Sequence, residues 1–168
     1  MYTATYISAP PAVVEVRQVE LPPEARALTA LSRVDYTDCF ILETDRVRER
    51  TGEEWARALL EEAPATTKDT LRRGWRALRV RLGSIEDDRL VLGWLVRSSS
   101  PDFALLAVRS AFGLEAELLV KREREGVLAA TLMKFNNPLI RGFWAGFSFQ
   151  HRRVVRHLLV HAGRRAIS

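Results

Sequence analysis

The segment NPLIRGFWAGFSFQHRRVVRHLLVHAGRRA, from Asn137 to Ala166, decides the fold of this chain. Asn137 is a good helix cap because its side chain can accept a hydrogen bond from a free backbone N–H, and Pro138 suits the first helical position. At about 100° per residue, the apolar side chains fall within an arc roughly 140° wide. This arc consists of Ile140, Trp144, Phe147, Val154, Val155, Leu158, Leu159 and Ala162. Its width predicts a long helix that lies on a sheet.

The opposite side of this predicted helix is basic. Arg153, Arg156 and Arg164 lie there together with Val160. Cations near the C-terminal end of a helix interact favourably with its dipole, which supports the assignment. Residues 148–150 are compatible with a kink, so one bent helix and two consecutive helices both remain open.

The residues before this helix predict an antiparallel sheet. Between residues 89 and 135, turn-forming residues at 98–102, at Gly113 and at 123–126 separate three or four apolar stretches. Short turns between apolar stretches are typical of hairpins, so we predict a meander.

Two strands of this meander have informative patterns. Residues 114–121 alternate between an apolar set and a charged set, so we expect the charged set to face water. The apolar set is Leu114, Ala116, Leu118 and Val120, the charged set is Glu115, Glu117 and Lys121, and Leu119 is the exception. In residues 127–135 both alternating sets are mostly apolar, which predicts a strand covered on both faces.

The N-terminal half alternates predicted strands and helices. In order, these are a strand over 12–21 that stops at Pro22-Pro23, a helix over 24–32, a strand over 34–44, a helix from a Thr51–Glu54 capping box to Pro64, and a helix from Thr67 to about Val80. The predicted fold class is therefore α+β, an antiparallel sheet closed off by a long C-terminal helix, with short helices between the early strands.

Length and composition favour a single domain. A chain of 168 residues buries roughly 70% of the surface of its unfolded state, and 47% hydrophobic with 28% charged residues is ordinary for a globular protein. We expect one domain over residues 1–168, with residues 1–11 flexible. These first residues lack the basic and apolar regions of a signal peptide, and charges interrupt the apolar runs elsewhere. We therefore expect a cytoplasmic protein without a membrane span.

The sequence carries no cofactor signature. The single cysteine, Cys39, cannot form an intramolecular disulfide, and without a histidine motif beside it a packed small residue is favoured over a nucleophile. Three scattered histidines scarcely supply a zinc site, and the glycines form neither a dinucleotide fingerprint nor a phosphate loop. We expect neither a metal nor a nucleotide cofactor.

His151 is the polar residue that packing explains least, because it lies near the middle of the apolar arc. A buried polar group without a partner costs roughly 1–3 kcal/mol, so this imidazole needs a hydrogen bond or a polar cavity. If the helix covers a pocket, His151 can bind a ligand or act as a general acid or base. The simpler interpretation is a histidine at the edge of the core that caps a kink or pairs with a carboxylate.

A second polar group lies at the start of the predicted strand over 34–44. It comprises Asp35, Tyr36 and Asp38. Turn formation is the commoner role for Asp35. Asp38 lies inside the strand, where Arg109 or an arginine of the final helix can pair with it, and Asp38 and Tyr36 are candidates for orienting a catalytic His151.

The tryptophans and the net charge allow two interpretations each. Trp55, Trp75, Trp94 and Trp144 can line a pocket, although plain core is the commoner role. A net charge of +5 permits attraction to phosphate. The aromatic residues of the final helix lie on its apolar side, so the stacking platform of single-strand binders is missing and nucleic-acid binding is the weaker hypothesis.

With this order of elements, the chain resembles the helix-grip fold of START-like and polyketide-cyclase-like (SRPBCC) proteins, in which a curved sheet grips the C-terminal helix. More narrowly, it is similar to an uncharacterised bacterial family of domains of unknown function. That similarity rests on DYTDCF at 35–40, Gly93-Trp94, HRR at 151–153, and Leu158-Leu159 with Ala162. The resemblance spans about Val14 to Ala166. It implies an apolar ligand cavity between sheet and helix, and association with a short-chain dehydrogenase-like protein, since members occur attached to such domains.

One departure from the helix-grip order bears on that cavity. The usual order places two short helices directly after the first strand, whereas here the strand over 36–43 intervenes before the helices at Thr51 and Thr67. A sheet that is not continuous through this strand would leave the cavity filled or reshaped.

The function we expect is the binding of a small hydrophobic or amphipathic molecule between the sheet and the final helix. The expected ligand-binding residues are Trp94, Met133, Trp144, Phe147 and His151. An enzyme of the cyclase or dehydratase type is the alternative, with His151 as acid or base and Asp38 or Tyr36 orienting it. A further alternative is a partner or nucleic-acid surface on Arg153, Arg156 and Arg164.

Overall fold

A computed structural model describes residues 14–84 and 87–168 of the chain. The expectation for residues 1–11, and the start of the first predicted strand at 12–13, lie outside the described residues. The elements are β1 (Glu15–Gln18), α1 (Pro23–Arg26), β2 (Tyr36–Glu43), a 3-10 helix (Asp45–Glu49), α2 (Gly52–Leu60), α3 (Ala65–Ala77), β3 (Val80–Arg81), β4 (Leu90–Val91), β5 (Trp94–Ser99), β6 (Phe103–Ser110), β7 (Leu114–Arg122), β8 (Gly126–Phe135) and α4 (Pro138–Ile167).

The eight strands of the described residues form one antiparallel sheet in the order β1-β2-β8-β7-β6-β5-β4, with β3 paired to β6. The α+β helix-grip arrangement predicted from the sequence is confirmed, and β5 to β8 form the predicted meander. The strand that departs from the helix-grip order is continuous with the sheet, since β2 pairs with β8 along its whole length. β1 is therefore an added edge strand, and α2 and α3 follow the strand that starts the helix-grip order.

α4 is one helix from Pro138 to Ile167, which decides between the two forms that the sequence left open. Its cap is the predicted one, because the side chain of Asn137 accepts hydrogen bonds from the backbone N–H groups of Leu139 (2.7 Å) and Ile140 (3.2 Å). The C-terminal half lies closest to the sheet at Gly163, where an added Cβ would come within 2.8 Å of the Leu42 side chain.

Asp35 fastens the first turn of α4 to the sheet. Its carboxylate accepts hydrogen bonds from the backbone N–H of Phe135 (2.9 Å) and from Arg33 (2.8 Å), and Arg141 of α4 lies 3.3 Å away. The hydrogen bond from Arg33 and the one from Phe135 lower the pKa of Asp35 to about 2. The turn role predicted for Asp35 is thus only part of its function in the fold.

The sheet is covered on both faces. The concave face packs on α2, α4 and the 3-10 helix, whereas the convex face is covered by residues 19–34, which include α1. The convex core contains Cys39, Leu105, Leu119, Leu128, Ala130 and Leu132. This explains why Leu119 broke the alternation and why β8 is apolar on both sides. Burial raises the pKa of the Cys39 thiol to about 12, in keeping with a packed residue rather than a nucleophile.

Glu117 contradicts the prediction that the charged set of β7 faces water. Only 1% of this residue is exposed. Its carboxylate accepts hydrogen bonds from the Thr29 hydroxyl and from the backbone N–H of Ala30 (3.1 Å), and Arg97 lies 3.4 Å away. The periodicity was misleading because a chain segment distant in sequence folds over this face and supplies the partners of the carboxylate.

Two helix boundaries also differ from the prediction. The helix expected over 24–32 stops at Arg26, because Thr29 and Ala30 turn their hydrogen-bonding groups to Glu117 instead of continuing the helix. The second difference concerns α3, which begins at Ala65 rather than at the predicted Thr67 and ends at Ala77. It ends there because Arg79 adopts φ of 50° and turns the chain into β3.

We predict that Glu117→Ala lowers the free energy of unfolding by about 2–3 kcal/mol, because it leaves Ala30 N–H and the Thr29 hydroxyl without their acceptor. Urea denaturation measures the loss. The matched control is Glu49→Ala, which removes an exposed ion pair with Arg46 and is expected to cost less than about 1 kcal/mol. Equal losses in the two variants would contradict the anchoring role of Glu117.

Candidate functional site

Three elements bring four polar side chains together at the interface between the sheet and α4. Asp38 of β2 lies directly opposite Thr131 of β8, and Tyr36 lies on the same face of β2 two residues earlier. His151 of α4 completes the cluster. Its Nε2 atom lies 3.1 Å from Asp38 Oδ2 and 3.1 Å from Thr131 Oγ1. We call these four residues the His151 cluster.

The two sequence interpretations of His151 are both consistent with this geometry. The imidazole pairs with a carboxylate, as expected of a histidine at the edge of a core. It also lines a cavity, as expected of a ligand-binding or acid–base group. Because Asp38 and Thr131 both contact Nε2, the Nδ1 atom is the ring nitrogen left for another partner. Aromatic rings fix the imidazole in place, with the Trp144 ring centroid at 5.0 Å.

Asp38 is the buried carboxylate of the cluster. Its Oδ2 atom accepts a hydrogen bond of 2.6 Å from the Tyr36 hydroxyl and faces His151, whereas Oδ1 has no hydrogen-bond partner among the described residues. Neither Arg109 nor an arginine of α4 is its partner, contrary to expectation, because Arg109 pairs with Glu115 on the far side of the sheet. A buried carboxylate with one free oxygen is unusual, since buried polar atoms normally find a partner.

The Tyr36 hydroxyl is held in its neutral form. Burial raises the pKa of Tyr36 above its ordinary value of 10.0, and the hydrogen bond to Asp38 raises it further, because a phenolate would lose that bond and face a carboxylate. The indole N–H of Trp144 lies near this hydroxyl and favours the phenolate, but it makes no hydrogen bond of normal geometry with it.

A cavity of about 100 Å³ lies between the concave face of the sheet, α3 and the middle of α4, from Trp144 to Leu158. All five residues predicted to bind ligand are in its lining, namely Trp94, Met133, Trp144, Phe147 and His151. The other two catalytic candidates, Asp38 and Tyr36, are not in the lining and contact it through His151. Its size is close to that of an engineered cavity of about 150 Å³ that holds benzene, and below the roughly 300–1,000 Å³ of typical ligand sites.

α3 forms a wall of the cavity that the sequence did not indicate. Leu71, Gly74 and Trp75 line the cavity, and the Trp75 ring lies 5.7 Å from that of Trp94. The spacing of Leu71 and Trp75 predicted a helix but not the element on which it packs. Every residue of α3 stays at least partly exposed, so this helix is the most loosely packed wall.

The basic face of α4 differs from the prediction in one respect. Arg153, Arg156 and Arg164 are exposed, as expected. Two aromatic residues of the helix, Phe143 and Phe149, are exposed as well and do not lie on the apolar side. The helix therefore does present aromatic rings to solvent beside arginines, and the sequence argument against stacking was wrong for these two rings.

The described residues include no helix that is both long and apolar enough to cross a membrane. Within the same part of the chain, no three histidine, cysteine, aspartate or glutamate side chains are grouped so that they could hold a metal ion.

We predict that Tyr36 resists ionisation in the folded protein. Because its folded pKa is raised, its contribution to stability is fully present below pH 10 and is lost as the pH rises above that value. In an ultraviolet titration, one of the three tyrosines should ionise only when the protein unfolds. Tyr36→Phe should abolish that fraction and make stability less dependent on alkaline pH. Ionisation of all three tyrosines near pH 10 before unfolding would contradict the burial of this hydroxyl.

Comparison of the chain with models of known families, with curated proteins and with solved structures gives no match.

Proposed function

We propose that the protein binds a small, mainly apolar molecule with one polar group in the cavity between the sheet and α4. The observation that carries the proposal is a cavity of about 100 Å³ whose mainly apolar lining includes the polar side chains of Thr70, Thr131, Gln150 and His151. Burial of the apolar part supplies the affinity, and the imidazole supplies a hydrogen bond that selects and orients the polar group.

The volume limits the ligand to about the size of a single substituted ring. A larger ligand requires α3 to move away from the sheet. The polar side of the site favours an amphipathic ligand over a pure hydrocarbon, because the indole N–H groups of Trp94 and Trp144 also find no acceptor among the described residues. A ligand acceptor close to either indole would relieve the desolvation of that group.

We expect phenol, used as a probe, to bind and to change the tryptophan fluorescence of the protein. Ala116 lines the cavity from β7, so Ala116→Leu should fill much of the space and weaken binding at least roughly tenfold. Ala145→Leu is the matched control, since Ala145 lies on the exposed face of α4 and its substitution should leave the affinity unchanged.

Native mass spectrometry of the purified protein is the complementary measurement, because it detects a molecule retained from the cell. Equal phenol affinity in wild type and in folded Ala116→Leu protein, with no retained molecule in either, would refute binding in this cavity.

A second function, acid–base catalysis of the cyclase or dehydratase type, is favoured by one specific contact. His151 Nε2 lies 3.1 Å from the Asp38 carboxylate. A proton on Nε2 donated to that carboxylate leaves a lone pair on Nδ1, and the carboxylate stabilises the imidazolium that forms when Nδ1 takes a proton. Asp38 then orients the base, and Tyr36 holds Asp38.

If His151 transfers a proton, we expect His151→Gln protein to retain the unconverted molecule. Native mass spectrometry should then find different ligand masses in the variant and in wild type, separated by one water in the case of a dehydration. The same mass in both preparations would leave ligand binding as the function and exclude the catalytic role.

Two further proposals do not rest on the cavity. Association with a short-chain dehydrogenase-like protein is proposed from the family resemblance, and a cytoplasmic location is proposed from the sequence.

A further inference from the structure

Large apolar side chains project into solvent from the first half of α4. Leu139 is 81% exposed, Phe143 51% and Phe149 64%. Phe112, also exposed, joins them at the helix start, because its carbonyl accepts a hydrogen bond of 3.2 Å from the side chain of Asn137. We call these four residues the outer α4 patch. Several large apolar side chains exposed on one helix and at its start mark an interaction surface.

The backbone between these side chains is bare. Gly142 and Gly146 lie on the same side of α4, and in the described part of the chain no atom comes within 4 Å of a Cβ added at either position. Leu139, Phe143 and Phe149 are thus exposed on a stretch of α4 where the two glycines leave the helix surface open. Side chains in this position can insert into an apolar environment outside the protein without any rearrangement of the fold.

The charged side chains of α4 itself have one sign. α4 contains six arginines and neither aspartate nor glutamate. Arg153 lies over the Phe149 ring at 5.9 Å, and Arg79 lies over the Phe112 ring at 5.8 Å. Each of these guanidinium groups therefore accompanies an exposed ring. A surface of exposed apolar groups interspersed with arginines is complementary to anionic headgroups above an apolar layer.

The outer α4 patch is continuous with the cavity. Phe143 stacks on Phe147 with ring centroids 6.0 Å apart, and Phe147 lines the cavity beside α3. A surface on which the patch rests would therefore lie next to the α3–α4 side of the cavity.

We propose that the outer α4 patch binds an anionic lipid surface, with the side chains of Leu139, Phe143 and Phe149 inserted among the lipids and the arginines of α4 at the headgroups. This proposal is independent of the function proposed above, since it needs no ligand in the cavity. Together the two would let an apolar ligand pass between the membrane and the cavity without crossing water.

Two other occupants fit the surface less well. A nucleic acid would use the phenylalanine rings for stacking, but Leu139, the most exposed member of the patch, offers no ring. A second copy of the chain would bring two helices together that carry arginines and no carboxylates, so their charges would repel.

The test is sedimentation of the full chain with vesicles of phosphatidylcholine alone and of phosphatidylcholine with about 30% phosphatidylserine. We expect binding to the anionic vesicles, weaker binding to the neutral ones, and a loss of binding as salt rises and the Debye length falls from about 10 Å at 0.1 M to about 3 Å at 1 M. The double variant Phe143→Ser, Phe149→Ser should bind at least roughly tenfold more weakly, since two apolar anchors are lost.

Leu95→Ser is the matched control, because Leu95 is a similarly exposed apolar residue on β5, outside the patch. It should bind vesicles like wild type, and circular dichroism should show that all variants are folded. The proposal is overturned if wild type fails to bind anionic vesicles or if the Leu95 variant loses as much binding as the double variant. It is also overturned if the double variant instead abolishes self-association or oligonucleotide binding while vesicle binding persists.

Discussion

The burial of one side of α4 against the concave face of the sheet is the interaction on which the rest of this structure depends. The C-terminal end of the helix is closely packed, with Leu159 and Ala162 buried and Gly163 tight against Leu42 of β2. The middle of the helix, from Trp144 to Leu158, does not fill the space above the sheet, and the cavity lies there. One continuous helix thus provides both the packing that stabilises the fold and the wall of the site.

A polar cluster within this apolar interface needs a physical explanation. Asp38 and Thr131 are cross-strand neighbours, so their side chains necessarily point to the same face of the sheet. His151 brings the matching donor from α4, and Tyr36 adds a second donor to the same carboxylate. The cluster therefore fixes the position of the helix along the sheet while it places an imidazole in the cavity lining.

The convex face also has a buried carboxylate within an apolar interface. The segment over 19–34 covers apolar residues of β7 and β8, and Glu117 holds that segment through Thr29 and Ala30. This face is thus covered by the protein itself, whereas the outer side of α4 exposes Leu139, Phe143 and Phe149 to solvent.

The sequence by itself determined the elements whose signal is local. The Asn137 cap, the apolar arc of α4, the Thr51–Glu54 capping box and the turns of the meander rest on contacts within a few residues, so periodicity and turn chemistry predicted them. Trp144, Phe147 and His151 were placed on the sheet-facing side of α4 by the same periodicity. The tertiary structure alone decided the pairing of His151 with Asp38, the burial of Glu117, the α3 wall and the exposure of Phe143 and Phe149. These features join residues far apart in the chain, or depend on which side of a helix finds a neighbour, and no local pattern carries that information.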